Sequence, residues 1–414
     1  MKEPKIRFKG FKGEWENTPF SETFDSLKNN SLSRAELSDS GEVMNIHYGD
    51  VLIKYGECVD VIKEVETFVK DEEVAKKLHQ SCAIKNGDVI FADAAEDNTV
   101  GKCSEVIANE NDAIVSGLHT IACRPKKDFA PMYLGYYLNS NAYHDQLLPH
   151  IQGTKISSIS KKAISQTHIN SPLEKDEQQS IASYFQHLDS LIQLTTKKIE
   201  SLKQVKAASL QSMFPQEGET TPRVRFKGFN GEWENEKIGN FSTSFSGGTP
   251  TAGVPAYYGG NIPFIRSGEI HEDKTELSLT EKGYNNSSAK IVEKGTLLYA
   301  LYGATSGDVA ISKIRGAINQ AILAITPYIL VETDFLADFL LCNKIKIVGE
   351  LLQGGQGNLS GSLVKDINVA YPCISEQRAI ASYFTTLDRQ ITLLSQRLEK
   401  LKQIKAACLD NMFV

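Results

Sequence analysis

The chain has 414 residues, 41% of them hydrophobic and 23% charged, the composition of a globular protein with apolar material for two or three domains. No run of about 18 apolar residues occurs, and the basic, interrupted segment Met1–Lys12 lacks a signal-peptide core, so a membrane span is excluded and a cytoplasmic location is expected. A net charge of −6 excludes a self-sufficient nucleic-acid binder unless its cations gather on one face or partners share the phosphate contacts.

In chain order, the first element is a short tag, Arg7-Phe8-Lys9-Gly10-Phe11-Lys12-Gly13-Glu14-Trp15-Glu16-Asn17. It returns as Arg225-Phe226-Lys227-Gly228-Phe229-Asn230-Gly231-Glu232-Trp233-Glu234-Asn235, with one substitution, so an internal repeat organises the chain. Between roughly 20 and 170 lies an insert with short apolar runs entered from glycine, such as Gly87-Asp88-Val89-Ile90-Phe91-Ala92, which read as buried strands. A helix-like stretch, Tyr133–Leu138, follows, and a polar loop, Gln152-Gly153-Thr154-Lys155-Ile156-Ser157, closes the insert.

A long helix comes next. Ile181, Phe185, Leu188, Ile192, Thr195, Ile199 and Leu202 alternate steps of four and three, the spacing of a coiled-coil seam. Pro172, an acidic first turn at Glu174, Asp176 and Glu177, and Lys203 and Lys206 near the far end fix its polarity. The second tag then leads into a second insert, roughly 236–372, which shares little sequence with the first. It carries a strand-like Gly295-Thr296-Leu297-Leu298-Tyr299-Ala300, a helix-like Phe335–Leu340 and a closing loop, Gln353-Gly354-Gly355-Gln356-Gly357-Asn358-Leu359-Ser360. The last element repeats the seam at Ile380, Phe384, Leu387, Ile391, Leu394, Leu398 and Leu401.

The expected architecture is therefore α+β, with two domains of mixed α/β character joined by two long helices that pair as an antiparallel coiled coil under a pseudo-twofold repeat. The expected divisions are 1–172, tag and first domain; 173–215, first helix; 216–372, tag and second domain; and 373–414, second helix. A copied frame with divergent inserts suggests frames that share a partner and inserts that recognise different things. Gln and Asn offer bidentate contacts to base edges, and basic and aromatic side chains in glycine-rich loops suit a groove. On that ground Tyr48, Lys54, Gln152, Thr154 and Lys155 in the first insert, with Thr249, Tyr258, Arg266, Gln353, Gln356 and Asn358 in the second, are candidate DNA contacts.

Catalytic patterns are missing. Gly101-Lys102 is followed by Cys103 and has Glu96 in place of the first glycine of a phosphate-binding loop, while Asn170-Ser171-Pro172-Leu173 does not match an adenine-methylation loop. The acids Glu72, Glu73, Asp93, Glu96 and Asp97 read as solvated faces or loop caps, and His47 and His119 as structural histidines without a nucleophile beside them. Seven scattered cysteines without a Cys-x-x-Cys pair read as reduced, core-filling thiols, so neither a catalytic residue nor a metal site is expected.

The order of elements, with Phe8-Lys9-Gly10-Phe11 and Trp15, Phe226-Lys227-Gly228-Phe229 and Trp233, and Glu376-Gln377-x-x-Ile380-Ala381, resembles the specificity subunit of type I restriction-modification enzymes over essentially the whole chain. In the inserts, Ile46-His47-Tyr48-Gly49-Asp50, Ser116-Gly117-Leu118-His119-Thr120, Gly247-Gly248-Thr249-Pro250-Thr251, Tyr257-Tyr258-Gly259-Gly260 and Ile318-Asn319-Gln320 look like target recognition segments. The resemblance implies two target recognition domains, each reading half of a split site in double-stranded DNA, with the helices as ruler and docking surface. It also implies two methyltransferase subunits using S-adenosylmethionine and restriction subunits using ATP and Mg, this chain itself holding no cofactor. A methyltransferase or nuclease with a fused recognition domain, and a purely structural coiled-coil adaptor, are the competing readings.

Overall fold

The computed structural model describes residues 3–153, 155–352 and 358–414. Two compact units emerge, and they do not follow chain order: one comprises residues 1–196 with 396–414, the other 197–395. The helices Lys175–Met213 and Ile374–Asn411 each contribute one part to either unit.

In the first unit a five-stranded sheet runs in the order Phe24–Ser26, Thr120–Pro125, Val89–Ala92, Cys103–Ile107, Cys58–Asp60. The strand Val89–Ala92 is wholly buried because both its faces are covered. Side chains alternate along a strand, so Val89 and Phe91 enter an aromatic core while Ile90 and Ala92 enter a second, aliphatic one. A smaller sheet lies in the order Ile114–Ser116, Met44–Ile46, Phe68–Val69, Leu37–Ser38, and its first two strands are parallel.

The second unit repeats this plan. Its main sheet runs Ser242–Ser246, Ile322–Pro327, Leu297–Ala300, Val309–Ile311, and Leu297 and Tyr299 again face one core while Leu298 and Ala300 face another. In its smaller sheet Tyr258–Ile265 runs parallel to Gly316–Ile318. The register matches as well: Val115 pairs with Asn45 and Ser116 with Ile46 in the first unit, Ala317 with Phe264 and Ile318 with Ile265 in the second. Inserts dissimilar in sequence thus share a central plan, although the main sheet has five strands in the first unit and four in the second, and the parallel pair lies at the edge of the first smaller sheet and in the middle of the second.

Within each unit the start of one long helix packs against the end of the other, so the two segments run antiparallel. In the first, Phe185 stacks on Phe413 at 5.7 Å and Tyr184 Oη meets Cys408 Sγ at 3.5 Å. In the second, Phe384 stacks on Phe214 at 6.2 Å and Ser209 meets Tyr383 at 3.0 Å. Phe185, Leu188, Ile199, Leu202, Phe384 and Leu387 are buried, and Ile192, Ile391, Leu398 and Leu401 partly so. The seam residues nearest the domains also join the domain cores, where Phe413 packs on Trp15, Tyr133 and Tyr137, and Phe214 on Trp233, Phe335 and Phe339.

The tags are held by a duplicated clamp. Arg7 binds both oxygens of Glu177, at 2.7 and 2.8 Å, and Arg225 binds both of Glu376, at 2.7 Å each. Both carboxylates are almost fully buried, at 2% and 1% exposure, so only this bidentate fork makes their burial tolerable. The adjoining glutamines tie helix to domain: Gln178 accepts from Ala130 N, and Gln377 from Glu332 N. Much of the repeated frame is thus spent on internal contacts.

Candidate nucleic-acid interface

The parallel strand pair of each smaller sheet ends in two turns that lie side by side. In the first unit these are His47-Tyr48-Gly49-Asp50 and Gly117-Leu118-His119, brought together by the pairing of Met44–Ile46 with Ile114–Ser116. A buried polar web makes them rigid. Asn30 Nδ2 donates to Asn45 Oδ1 at 2.8 Å and to the Ser116 carbonyl at 2.9 Å, and Ser116 Oγ lies 2.6 Å from Thr120 Oγ1. Gly117 cannot be replaced cheaply, since a Cβ there would sit 2.7 Å from Asn45 Nδ2 and 2.9 Å from the Ile46 carbonyl.

His47 caps the helix Tyr48–Ile53 by accepting from Gly49 N at 3.2 Å. Burial pushes its imidazole below the usual range, with the Arg34 charge adding to the shift, so this histidine is structural. His119 sits in different surroundings. Its side chain is 51% exposed, its Nδ1 lies 3.0 Å from Asp93 Oδ1, and its ring meets the half-buried Tyr48 ring edge-on at 5.2 Å. Its backbone is left-handed, with φ +54°. Sequence reasoning missed the pairing because Asp93 and His119 stand 26 positions apart with no local signal between them.

The closing loop reaches the same place. Ile159 N donates to the Asp93 carbonyl at 2.9 Å, and Ser157 and Ser158 pair with Ala95 and Ala94. Gln152 is exposed and bonds through its backbone to Ser158, and Lys155 is exposed to solvent. Lys54 stands apart from these, at the end of its helix and 2.8 Å from Glu66. Thr154, Gln353 and Gln356 lie outside the described residues, whereas Asn358 is described and exposed.

In the second unit the corresponding turns carry Arg266 and Asn319-Gln320. Thr249 Oγ1 donates to Gln320 Oε1 at 2.6 Å and Tyr258 Oη to the Pro250 carbonyl at 3.0 Å. Thr249, Tyr258, Phe264, Arg266, Leu277 and Asn319 border an open hollow of about 340 Å³. The Arg266 guanidinium is held by Glu269 at 2.9 and 3.1 Å and by Glu276 at 2.5 Å, so its charge is already engaged. Gly247 and Gly248 serve internal packing, because a Cβ would fall 1.8 Å from the Ile318 carbonyl and 1.9 Å from Ser288 Oγ, respectively.

Among the described residues no group of three or more His, Cys, Asp or Glu is placed to hold a metal ion, and no helix is long and apolar enough to cross a membrane. Tyr48 of the first insert touches His119, Gln152 and Lys155 are exposed on the loop that leads to the strand beside Asp93, and Thr249, Tyr258 and Arg266 of the second gather at one hollow.

Comparison with known proteins supplies the family. The model for the type I restriction modification DNA specificity domain matches residues 12–204 and again 230–403. The type I restriction enzyme MjaIX specificity subunit of Methanocaldococcus jannaschii is 29% identical over 194 residues, 44% of this chain and 44% of that protein, so the chain spans less than half of that relative's length. A putative MjaX specificity subunit of the same organism is 24% identical over 362 residues, 81% of this chain and 79% of that one. In fold, the type I restriction-modification S subunit from M. genitalium superposes with a TM-score of 0.63 at 14% identity, covering 100% of this chain and 99% of that one. With the specificity domain matched twice and over most of its length, the chain belongs to the type I restriction-modification DNA specificity family.

Proposed function

We propose that this chain is the DNA sequence-specificity subunit of a cytoplasmic type I restriction-modification complex, reading a bipartite site in double-stranded DNA and performing no chemistry of its own. The observation that carries this reading is the contrast between a repeated frame, its tags nearly identical, and two inserts that keep a common parallel strand pair while differing at the turns that end it. Residues 1–172 and 216–372 each hold a tag and a recognition domain, and 173–215 and 373–414 hold the connecting helices. Two methyltransferase subunits dock on the repeated frame, with restriction and translocase subunits beyond them; S-adenosylmethionine, ATP and Mg belong to those partners. Exposed apolar side chains at equivalent helix positions support a partner present twice: Leu194 and Leu393, and Val205 and Ile404, lie off the inward seam.

Replacing residues 236–372 with the corresponding insert of a relative, and mapping methylated bases in cells carrying the complex, tests the proposal. One half of the methylated sequence changes and the other stays. A change in both halves, or in neither, refutes the modular reading.

A further inference from the structure

We infer that His119 is a specificity-determining residue of the first domain, presenting its Nε2 to a base edge; this rests on the DNA-reading role proposed above. Three residues other than glycine have positive φ among the described residues: His119, Met132 and Leu330. The last two have a visible internal reason. Met132 N donates to the buried Glu105 carboxylate at 2.6 Å, and the Leu330 carbonyl accepts from Gln377 at 2.7 Å. His119 has none. Its carbonyl accepts from Asp93 N at 3.0 Å, yet in the second unit Ala321 makes the same bond, from Leu301 N at 2.8 Å, without a left-handed backbone. The fold does not require the strain, and strained conformations at exposed polar residues mark binding sites.

What the strain achieves is a fixed imidazole. Asp93, a carboxylate, can only accept, so Nδ1 carries the proton of that bond and the ring is oriented from behind, while the Tyr48 ring supports its face. No described residue bonds Nε2, which is left directed away from Asp93. A carboxylate 3.0 Å from the ring repels phosphate, so the favoured ligand is a base edge: the exocyclic amine of adenine or cytosine to a neutral ring, or guanine N7 and O6 to a charged one.

The surrounding positions fit a reading tip on a common scaffold. Matching the two units by strand register, Ile46 corresponds to Ile265, Gly49 to Gly268, Asp50 to Glu269 and Val51 to Ile270, all alike. His119 corresponds to Ala321, and Tyr48 to Ser267. The same register sets buried His47 against Arg266, Gly117 against Asn319 and Ser116 against Ile318, so the two turns differ along their length, and the exposed His119 is one of the differences.

The test uses the full chain assembled with its methyltransferase partner, a library of randomised duplexes and a readout of the methylated sequences. His119→Gly removes the side chain and relieves the backbone; Asp93→Asn keeps the shape but releases the ring from the carboxylate. The inference expects both variants to lose discrimination at one base pair of the first half-site, between about 5- and 150-fold for the glycine variant, with the second half-site and the salt dependence of binding unchanged. An unaltered first half-site in a folded, active His119→Gly complex overturns it, as does a uniform loss of affinity with a shallower salt dependence, which marks a phosphate contact. The insert exchange run in parallel separates the levels: if it succeeds while His119→Gly is silent, only the role of His119 fails.

Discussion

Replacing Phe413 by alanine should destabilise the first unit and spare the second, although Phe413 stands at the far end of the sequence. The ring is 5% exposed and sits among Phe185, Tyr137, Tyr133 and Trp15, with centroids 5.7, 5.7, 6.0 and 6.4 Å away. Its partners come from the tag, the domain helix Tyr133–Leu138 and the start of the first long helix, so collapse around the vacancy would have to move three elements at once. Buried Phe→Ala changes cost about 3–5 kcal/mol when the site cannot collapse, a large share of the roughly 5–15 kcal/mol that stabilises a typical domain. Native-state hydrogen exchange reads the effect locally. Amides of Tyr133–Leu138 should exchange roughly 150- to 5,000-fold faster, while those of Phe335–Cys342 keep their protection. Phe214→Ala should produce the reverse pattern, since Phe214 holds the equivalent place in the second unit. Equal loss of protection in both units after Phe413→Ala would refute the assignment of residues 396–414 to the first.

Two further outcomes follow from buried charge. Arg7→Ala strands the Glu177 carboxylate at 2% exposure and should destabilise the first unit by about 3–5 kcal/mol in denaturant titration; adding Glu177→Gln should recover part of that loss, and no recovery would show that the arginine acts by packing alone. Glu105 is pushed up to about 7 by burial, against backbone N–H groups of Gly135, Met132 and Leu134 that pull it down. A carboxyl whose folded pKa is raised stabilises the fold while protonated, fully below its unfolded value near 4.5 and progressively less as pH rises to 7. The first unit should therefore lose on the order of 3 kcal/mol across that window, and Glu105→Gln should flatten the slope; an identical slope in the variant would exclude Glu105 as its source.

The parts legible in the sequence were those written in local pattern. The uninterrupted Val89-Ile90-Phe91-Ala92 and Leu297-Leu298-Tyr299-Ala300 announce strands covered on both faces, and the four-three spacing from Ile181 and Ile380 announces helices with one inward stripe. The long-range parts were not legible. Arg7 meets Glu177 across 170 positions, and nothing near Phe413 says that it packs on Trp15. The repeat was visible as a copied frame, but the pressure that keeps it copied includes the Arg–Glu clamp as well as any partner. At the candidate interface the sequence identified loops by composition, yet a charge is available only if the fold leaves it unengaged. Arg266 is occupied by two glutamates, whereas His119 stands half-exposed beside Asp93 with no described residue bonding its Nε2.

The placement of residues 396–414 in the first unit also orders events during synthesis. The second unit, 197–395, is a continuous stretch and can complete its core as soon as it has emerged from the ribosome. The first unit is made earlier but must wait, its Trp15, Tyr133 and Phe185 facing an empty place until Phe413 arrives. The domain translated first is thus the one finished last, and a chain cut short after the second unit would carry one finished recognition domain beside one still open to solvent.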